Sequence, residues 1–157
     1  MFNLWNVIRR NPQFKKLSQE FDSAVESRIA KGFVKLLLDV MSLALFLDED
    51  YHRNIKGFKG RYLIKIKEDN ESVRAVFGPS PILRREQLKV SMGNLDNPDI
   101  TYTFKTGQAL MNVLLSPRQD ILGSLLKNEV VLSGNMNYLY KLGFMSAQLQ
   151  KMVLPET

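Results

Sequence analysis

From Phe14 onward, apolar residues recur at three- and four-residue steps as Leu17, Phe21, Val25, Ile29 and Phe33. That spacing puts them on one face of a helix. A short apolar stretch, Leu4, Trp5, Val7 and Ile8, precedes it and ends at Asn11-Pro12. From Phe33 to Leu47 the pattern thickens until only Lys35, Asp39 and Ser42 interrupt it. The run is too short and too charged to span a bilayer, so it predicts a helix buried in protein or lying against another apolar surface. Asp48-Glu49-Asp50 closes it. Residues 1–50 are thus expected to be a helical segment packing on a domain formed by residues 51–157.

Beyond that point the period drops to two. Tyr62, Ile64 and Ile66 face one way and Arg61, Lys65 and Lys67 the other, with Leu63 as the exception. Glu68-Asp69-Asn70-Glu71 reads as a turn, so Val73, Ala75 and Phe77 complete a hairpin. Gly78-Pro79-Ser80-Pro81 breaks the chain, and Leu88, Val90 and Met92 resume it. A fourth strand alternates from Asp99 to Phe104. Leu110, Val113 and Leu114 then return to helical spacing. Ser116-Pro117-Arg118-Gln119 has the cap, the first-turn proline and the back-reaching Gln of a helix start. Ile121, Leu122, Leu125 and Leu126 would be its buried stripe. Val130-Val131-Leu132 is a fifth strand, and a last helix runs from Asn135 to about Val153. The sum is an α+β fold: about five short strands, mostly antiparallel, with helices covering one face.

Several of these residues also form a recognisable run. Asn128-Glu129-Val130-Val131-Leu132-Ser133-Gly134-Asn135-Met136, with Lys141-Leu142 beyond it, resembles the sterol carrier protein 2 family of lipid-binding domains. That family shows Gly-Lys-Leu-Lys-Ile-x-Gly-Asn-Met in the same place, after an Asp-led strand and two helices. The resemblance covers about Tyr62 to Met145. It departs at Asn128, where the family has Gly, and at Glu129, where it has Lys. Asn tolerates positive φ better than most residues, so the turn survives. The resemblance implies an apolar tunnel between sheet and helices, a non-catalytic lipid-binding role and, as in some bacterial members, accessory work in quinone biosynthesis.

The chemistry of the chain leaves room for that role. With no Cys among 157 residues, disulfides and thiol chemistry are excluded. His52 is the single histidine; alone in a basic, Tyr-flanked stretch it reads as a surface residue, and it cannot form a triad or a multi-His metal site. No nucleophile elbow, phosphate-binding loop or dinucleotide fingerprint occurs. Glu68, Asp69 and Glu71 cluster only in a hairpin turn. The expectation is therefore no enzyme, no metal and no cofactor. No secretory signal precedes Asn70-Glu71-Ser72, and Pro155-Glu156-Thr157 is not a peroxisomal address, so a cytoplasmic protein is expected, peripheral at a membrane at most.

The net charge of +6 is uneven. Arg53, Lys56, Lys59, Arg61, Lys65 and Lys67 fall within Tyr51–Lys67, a stretch without an acid. Such a patch is either a solvated edge-strand face or a surface for phosphates on lipid or nucleic acid. Nucleic acid is not the expected partner, since Tyr51, Phe58 and Tyr62 read as core rather than as stacking platforms.

The last helix supplies the positive argument. Met136, Tyr138, Leu139, Tyr140, Leu142, Phe144, Met145, Leu149, Met152 and Val153 cover more of it than one sheet contact requires. Surplus apolar surface meets a ligand, a second copy of the chain or a membrane. The resemblance selects the ligand, and the residues expected to bind it are Leu110, Leu114, Leu122, Leu126, Met136, Leu139, Tyr140, Phe144 and Met145. Tyr138, Tyr140, Asn135 or a basic residue between Arg53 and Arg61 is expected at its polar end. A homodimer without a lipid is the alternative, and the lead Phe2–Ile8 with Arg9-Arg10 is a candidate for membrane contact.

Overall fold

The computed structural model describes residues 11–27, 32–68, 70–115, 123 and 126–153. The lead Phe2–Ile8 and the expected helix start at Ser116–Gln119, with Leu122, lie outside these residues.

Helix α1 spans Pro12–Ser27. Asn11 caps it: its Oδ1 accepts from the backbone N–H groups of Gln13 and Phe14 at 3.0 and 3.2 Å. Pro12 occupies the first turn, where its missing N–H costs nothing. The helical lead is not one continuous helix. Helix α2, Phe33–Leu47, starts afresh after Gly32, whose φ of 75° is in the left-handed region. Asp48 ends α2 and caps the short helix α3, Glu49–His52, its carboxylate accepting from Tyr51 N–H at 3.0 Å. A single 3-10 turn, Arg53–Ile55, follows.

The strands are β1 Gly60–Ile66, β2 Glu71–Pro79, β3 Glu86–Met92, β4 Ile100–Phe104 and β5 Val130–Gly134. Helix α4, Gly107–Leu115, follows β4, and helix α5, Met136–Val153, follows β5. The sheet order is β3-β2-β1-β4-β5, antiparallel throughout except for the parallel pair β1–β4. The α+β class and the mostly antiparallel five-stranded sheet are as the sequence implies.

One placement differs. Of the two options for the basic run, the edge-strand face does not hold, since β1 is the central strand. The reason is the match of inward residues: Tyr62, Ile64 and Ile66 pair in register with Ile100, Tyr102 and Phe104. An alternating strand with an apolar face gains more from two such neighbours than from one. Acids from elsewhere also meet the run. Arg53 pairs with Asp50 at 3.2 Å, and Arg61 N–H donates to Asp99 Oδ2 at 2.8 Å.

The inner sheet face is Tyr62, Ile64, Ile66, Val73, Ala75, Phe77, Leu88, Ile100, Tyr102, Phe104 and Val130, all buried. Helix α2 covers the β2–β3 side, burying Phe33, Val34, Leu37, Leu38, Val40, Met41, Ala44 and Leu45. It is the buried-protein option of the two the sequence left open. Ser42 fixes it by donating to the Leu88 carbonyl of β3 at 2.8 Å. Helix α5 lies against α2, α4 and β4.

The run that prompted the family resemblance has a physical account. Asn128 adopts a φ of 56°, which Asn tolerates. Gly134 adopts 121°, and a Cβ there would collide with the Asp99 carbonyl oxygen and Ile100 Cα of β4. Asn135 caps α5, accepting from Asn137 N–H at 2.9 Å, while its own N–H donates to Asp99 O at 2.9 Å. Gly134 and Asn135 therefore dock the end of β5 on β4 and launch α5 from the same point.

Candidate functional site

The candidate site is the interior where β4, α4 and α5 meet, and three tyrosines define it. Tyr51 donates its hydroxyl to the Met145 carbonyl at 2.9 Å, and Tyr62 donates to the Tyr138 carbonyl at 2.9 Å. These bonds hold α5 at two levels, seven residues apart. Burial pushes the ionisation of both phenols up, so both remain donors at neutral pH. Around Tyr62, rings of Phe58, Phe77 and Tyr138 pack edge-on or tilted at 5.5–5.8 Å. Lys141 Nζ lies 5.2 Å from the centre of the Phe58 ring. Gly60 permits this cluster, since a Cβ there would fall 2.8 Å from Phe58.

The third tyrosine is different. Tyr102, on the inner face of β4, is only 6 % exposed, and its hydroxyl has no hydrogen-bond partner among the described residues. Its ring runs parallel to that of Phe104, within 6° and at 6.3 Å. Burial pushes its ionisation up as well. A buried hydroxyl without a partner costs about 1–3 kcal/mol, and native interiors seldom contain one. The other orphan oxygen, Oε2 of Glu71, belongs to a partly exposed residue at the start of β2.

The residues expected at the ligand divide into two groups. Leu110, Leu139 and Met145 are buried in the same apolar core as Tyr102 and Phe104. Leu126, Met136, Tyr140 and Phe144 face outward, 85, 40, 68 and 62 % exposed. Leu114 lies on α4 with its side chain outside the description, as does Leu122 altogether. Met136, Tyr140 and Phe144 are four residues apart, so they form one stripe along α5. Of the residues expected at a polar end, Asn135 serves as the α5 cap, Tyr138 belongs to the aromatic cluster and Tyr140 is in solvent. Tyr102 was missed because its strand alternates as any half-buried strand does. The available signal was a hydroxyl-bearing ring on the inward parity of an otherwise aliphatic and aromatic face.

His52 also departs from expectation. It is 8 % exposed and its Nε2 lies 2.8 Å from the Glu86 carbonyl. That bond requires the proton on Nε2, so the 3.3 Å approach of Arg85 Nε to the same atom is not a second hydrogen bond. The imidazole is buried because the short helix α3 delivers it against the Glu86 carbonyl at the start of β3, a contact that its basic, Tyr-flanked sequence surroundings do not announce. Arg85 binds Glu49 at 2.6 Å and holds that carboxyl below its usual range. A Gly57 N–H bond does the same to Glu86. Among the described residues no group of three His, Cys, Asp or Glu is placed to hold a metal, and no helix is long and apolar enough to cross a membrane. A cleft of 400 Å³ lies between α1, α2 and β3, lined by Leu17, Asp39, Phe46, Leu83 and Arg85 among others. None of the expected ligand residues lines it.

Compared with solved structures, this architecture superposes on the UbiJ-SCP2 ubiquinone synthesis protein over 79 % of this chain and 97 % of that one, with a TM-score of 0.53 at 15 % identity. The fold is that of sterol carrier protein 2. The stereoselective inverting sec-alkylsulfatase Pisa1 from Pseudomonas sp. carries a similar unit, aligned over 78 % of this chain with a TM-score of 0.52 at 15 % identity. This chain spans only 16 % of that enzyme's length. The fold thus accounts for nearly all of one solved chain and a small part of another. No family model matches the sequence, and no curated protein does.

Proposed function

We propose that the protein binds and carries a long-chain apolar lipid between the inner face of β4–β5 and helices α4 and α5, without acting on it chemically. One observation carries the reading: α5 is apolar on both sides, with Leu139, Leu142, Met145 and Leu149 inward and Met136, Tyr140 and Phe144 outward. A helix that only roofs a sheet needs one such side. Leu110, Leu139 and Met145 are assigned to the inner wall of a tunnel, and Leu126, Met136, Tyr140 and Phe144 to its rim; Leu114 and Leu122 are ligand candidates on the sequence alone. The rim is suited to brief contact with a membrane surface during loading.

The driving force is partition. Each methylene moved from water contributes ~0.8 kcal/mol, so a twelve-carbon chain offers roughly 10 kcal/mol before losses. Loss of translational and conformational freedom brings this to about micromolar affinity. The ligand class is fatty acyl, sterol-like or isoprenoid. A structural neighbour named for ubiquinone synthesis favours a quinone intermediate, held and presented to other enzymes. The unabsorbed outward stripe favours one further reading, a dimer formed by two α5 faces.

Delipidated protein mixed with a fluorescent long-chain lipid separates the two. A monomer that takes up the lipid with micromolar affinity supports the carrier. A tight dimer that takes up none overturns it.

A further inference from the structure

The Tyr102 hydroxyl narrows the ligand class. It is a neutral donor at physiological pH, belongs with Leu110, Leu139 and Met145 to the buried core, stacks beside Phe104, and has no partner among the described residues. Its two counterparts are both committed, Tyr51 to Met145 O and Tyr62 to Tyr138 O. The surroundings also say what the missing partner is not. No Lys or Arg among the described residues is buried; the buried polar side chains besides tyrosine are Asp48, His52, Ser80 and Ser146. A carboxylate or phosphate carried to this depth would lose its hydration with no cation to compensate, which costs far more than a neutral oxygen does.

Resting on the carrier reading above, we propose that the lipid is neutral and oxygen-bearing, and that it binds oxygen-first, with a carbonyl or hydroxyl oxygen accepting from Tyr102 Oη. Free fatty acids are poor ligands in this arrangement. Neutral aryl ketones, quinones and sterol-like alcohols are good ones. Tyr102 acts as a specificity-determining residue: an oxygen-free hydrocarbon leaves the hydroxyl orphaned, whereas an oxygen at that position satisfies it.

The test uses 1-phenyldodecan-1-one and 1-phenyldodecane, which differ by one carbonyl, each offered to the protein from phosphatidylcholine vesicles. The ratio of ketone to hydrocarbon uptake is measured for the wild type and for Tyr102→Phe, so that differences in vesicle affinity cancel. The ratio is expected to fall about fivefold in Tyr102→Phe, from the loss of one hydrogen bond. It should not change in Ser42→Ala, whose lost bond to the Leu88 carbonyl lies on the β2–β3 side, away from the site. An unchanged ratio in a Tyr102→Phe protein that binds both probes overturns the assignment and leaves the carrier reading standing. If no variant takes up either probe, the carrier reading itself fails. Wild-type protein supplies an arm independent of any substitution: sodium dodecanoate should be retained at least tenfold less than the ketone, and stronger retention of dodecanoate overturns the proposal.

Discussion

The two halves of the interior are built to different standards. On the β2–β3 side, α2 buries eight side chains and is pinned by Ser42 to the Leu88 carbonyl. On the β4–β5 side, α5 is held by two tyrosine hydroxyls and a capped start, but it exposes Met136, Tyr140 and Phe144 and covers an unpartnered Tyr102 hydroxyl. The first half buries its inner sheet face under α2, while a 400 Å³ cleft opens between α1, α2 and β3 and Phe46 is exposed there. The second has apolar surface and hydrogen-bonding capacity to spare, as expected of a region made to take in another molecule.

The largest effect should come from the joint between β5 and α5. Gly134→Ala places a Cβ against the Asp99 carbonyl at a φ of 121°. It should cost about 3 kcal/mol or more in thermal or denaturant unfolding and abolish lipid uptake. Met41→Ala, in the first half, should cost about 2–4 kcal/mol by cavity formation. Uptake per folded molecule should be unchanged, and a parallel loss of uptake would erase the distinction between the halves. Third, Tyr51→Phe breaks a bond to α5 and should cost about 1 kcal/mol, whereas Tyr102→Phe removes an unmatched hydroxyl and should be neutral or stabilising in ligand-free protein. Equal losses in the two melts would contradict the account of Tyr102.

The smallest effect concerns acid. Glu49, held below its usual range by Arg85, contributes stability above the ordinary carboxylate range. That contribution is lost as pH falls through the lowered value. Arg85→Ala should flatten the acid limb of the stability curve slightly, and less so in high salt. Uptake at neutral pH should not respond.

Much of this was legible in the chain, for reasons that particular residues make plain. Tyr62-Ile64-Ile66 and Ile100-Tyr102-Phe104 announce strands by strict alternation, and Gly134-Asn135 announces a turn and a cap, the glycine being required by the close approach of β4. The position of β1 was not legible, because pairing between β1 and β4 is decided by side chains 38 positions apart in register, Tyr62 with Ile100. The division of the candidate site was hidden for a related reason. Leu139 and Tyr140 are adjacent in sequence and equally apolar in pattern, yet a 100° turn of helix sends one inward and the other to solvent. His52 and Tyr102 share a further lesson: burial of a polar ring depends on what a distant strand or helix brings over it. For His52 that is the Glu86 carbonyl; for Tyr102 no described residue fills the role.

The most direct test is a crystal structure of the protein purified from its own source, refined without added lipid. Elongated density between the inner face of β4 and helix α5, with a neutral oxygen at hydrogen-bond distance from Tyr102 Oη, is the result the account predicts. A solid interior, with side chains closing that space and a protein group bonded to Tyr102, would contradict it.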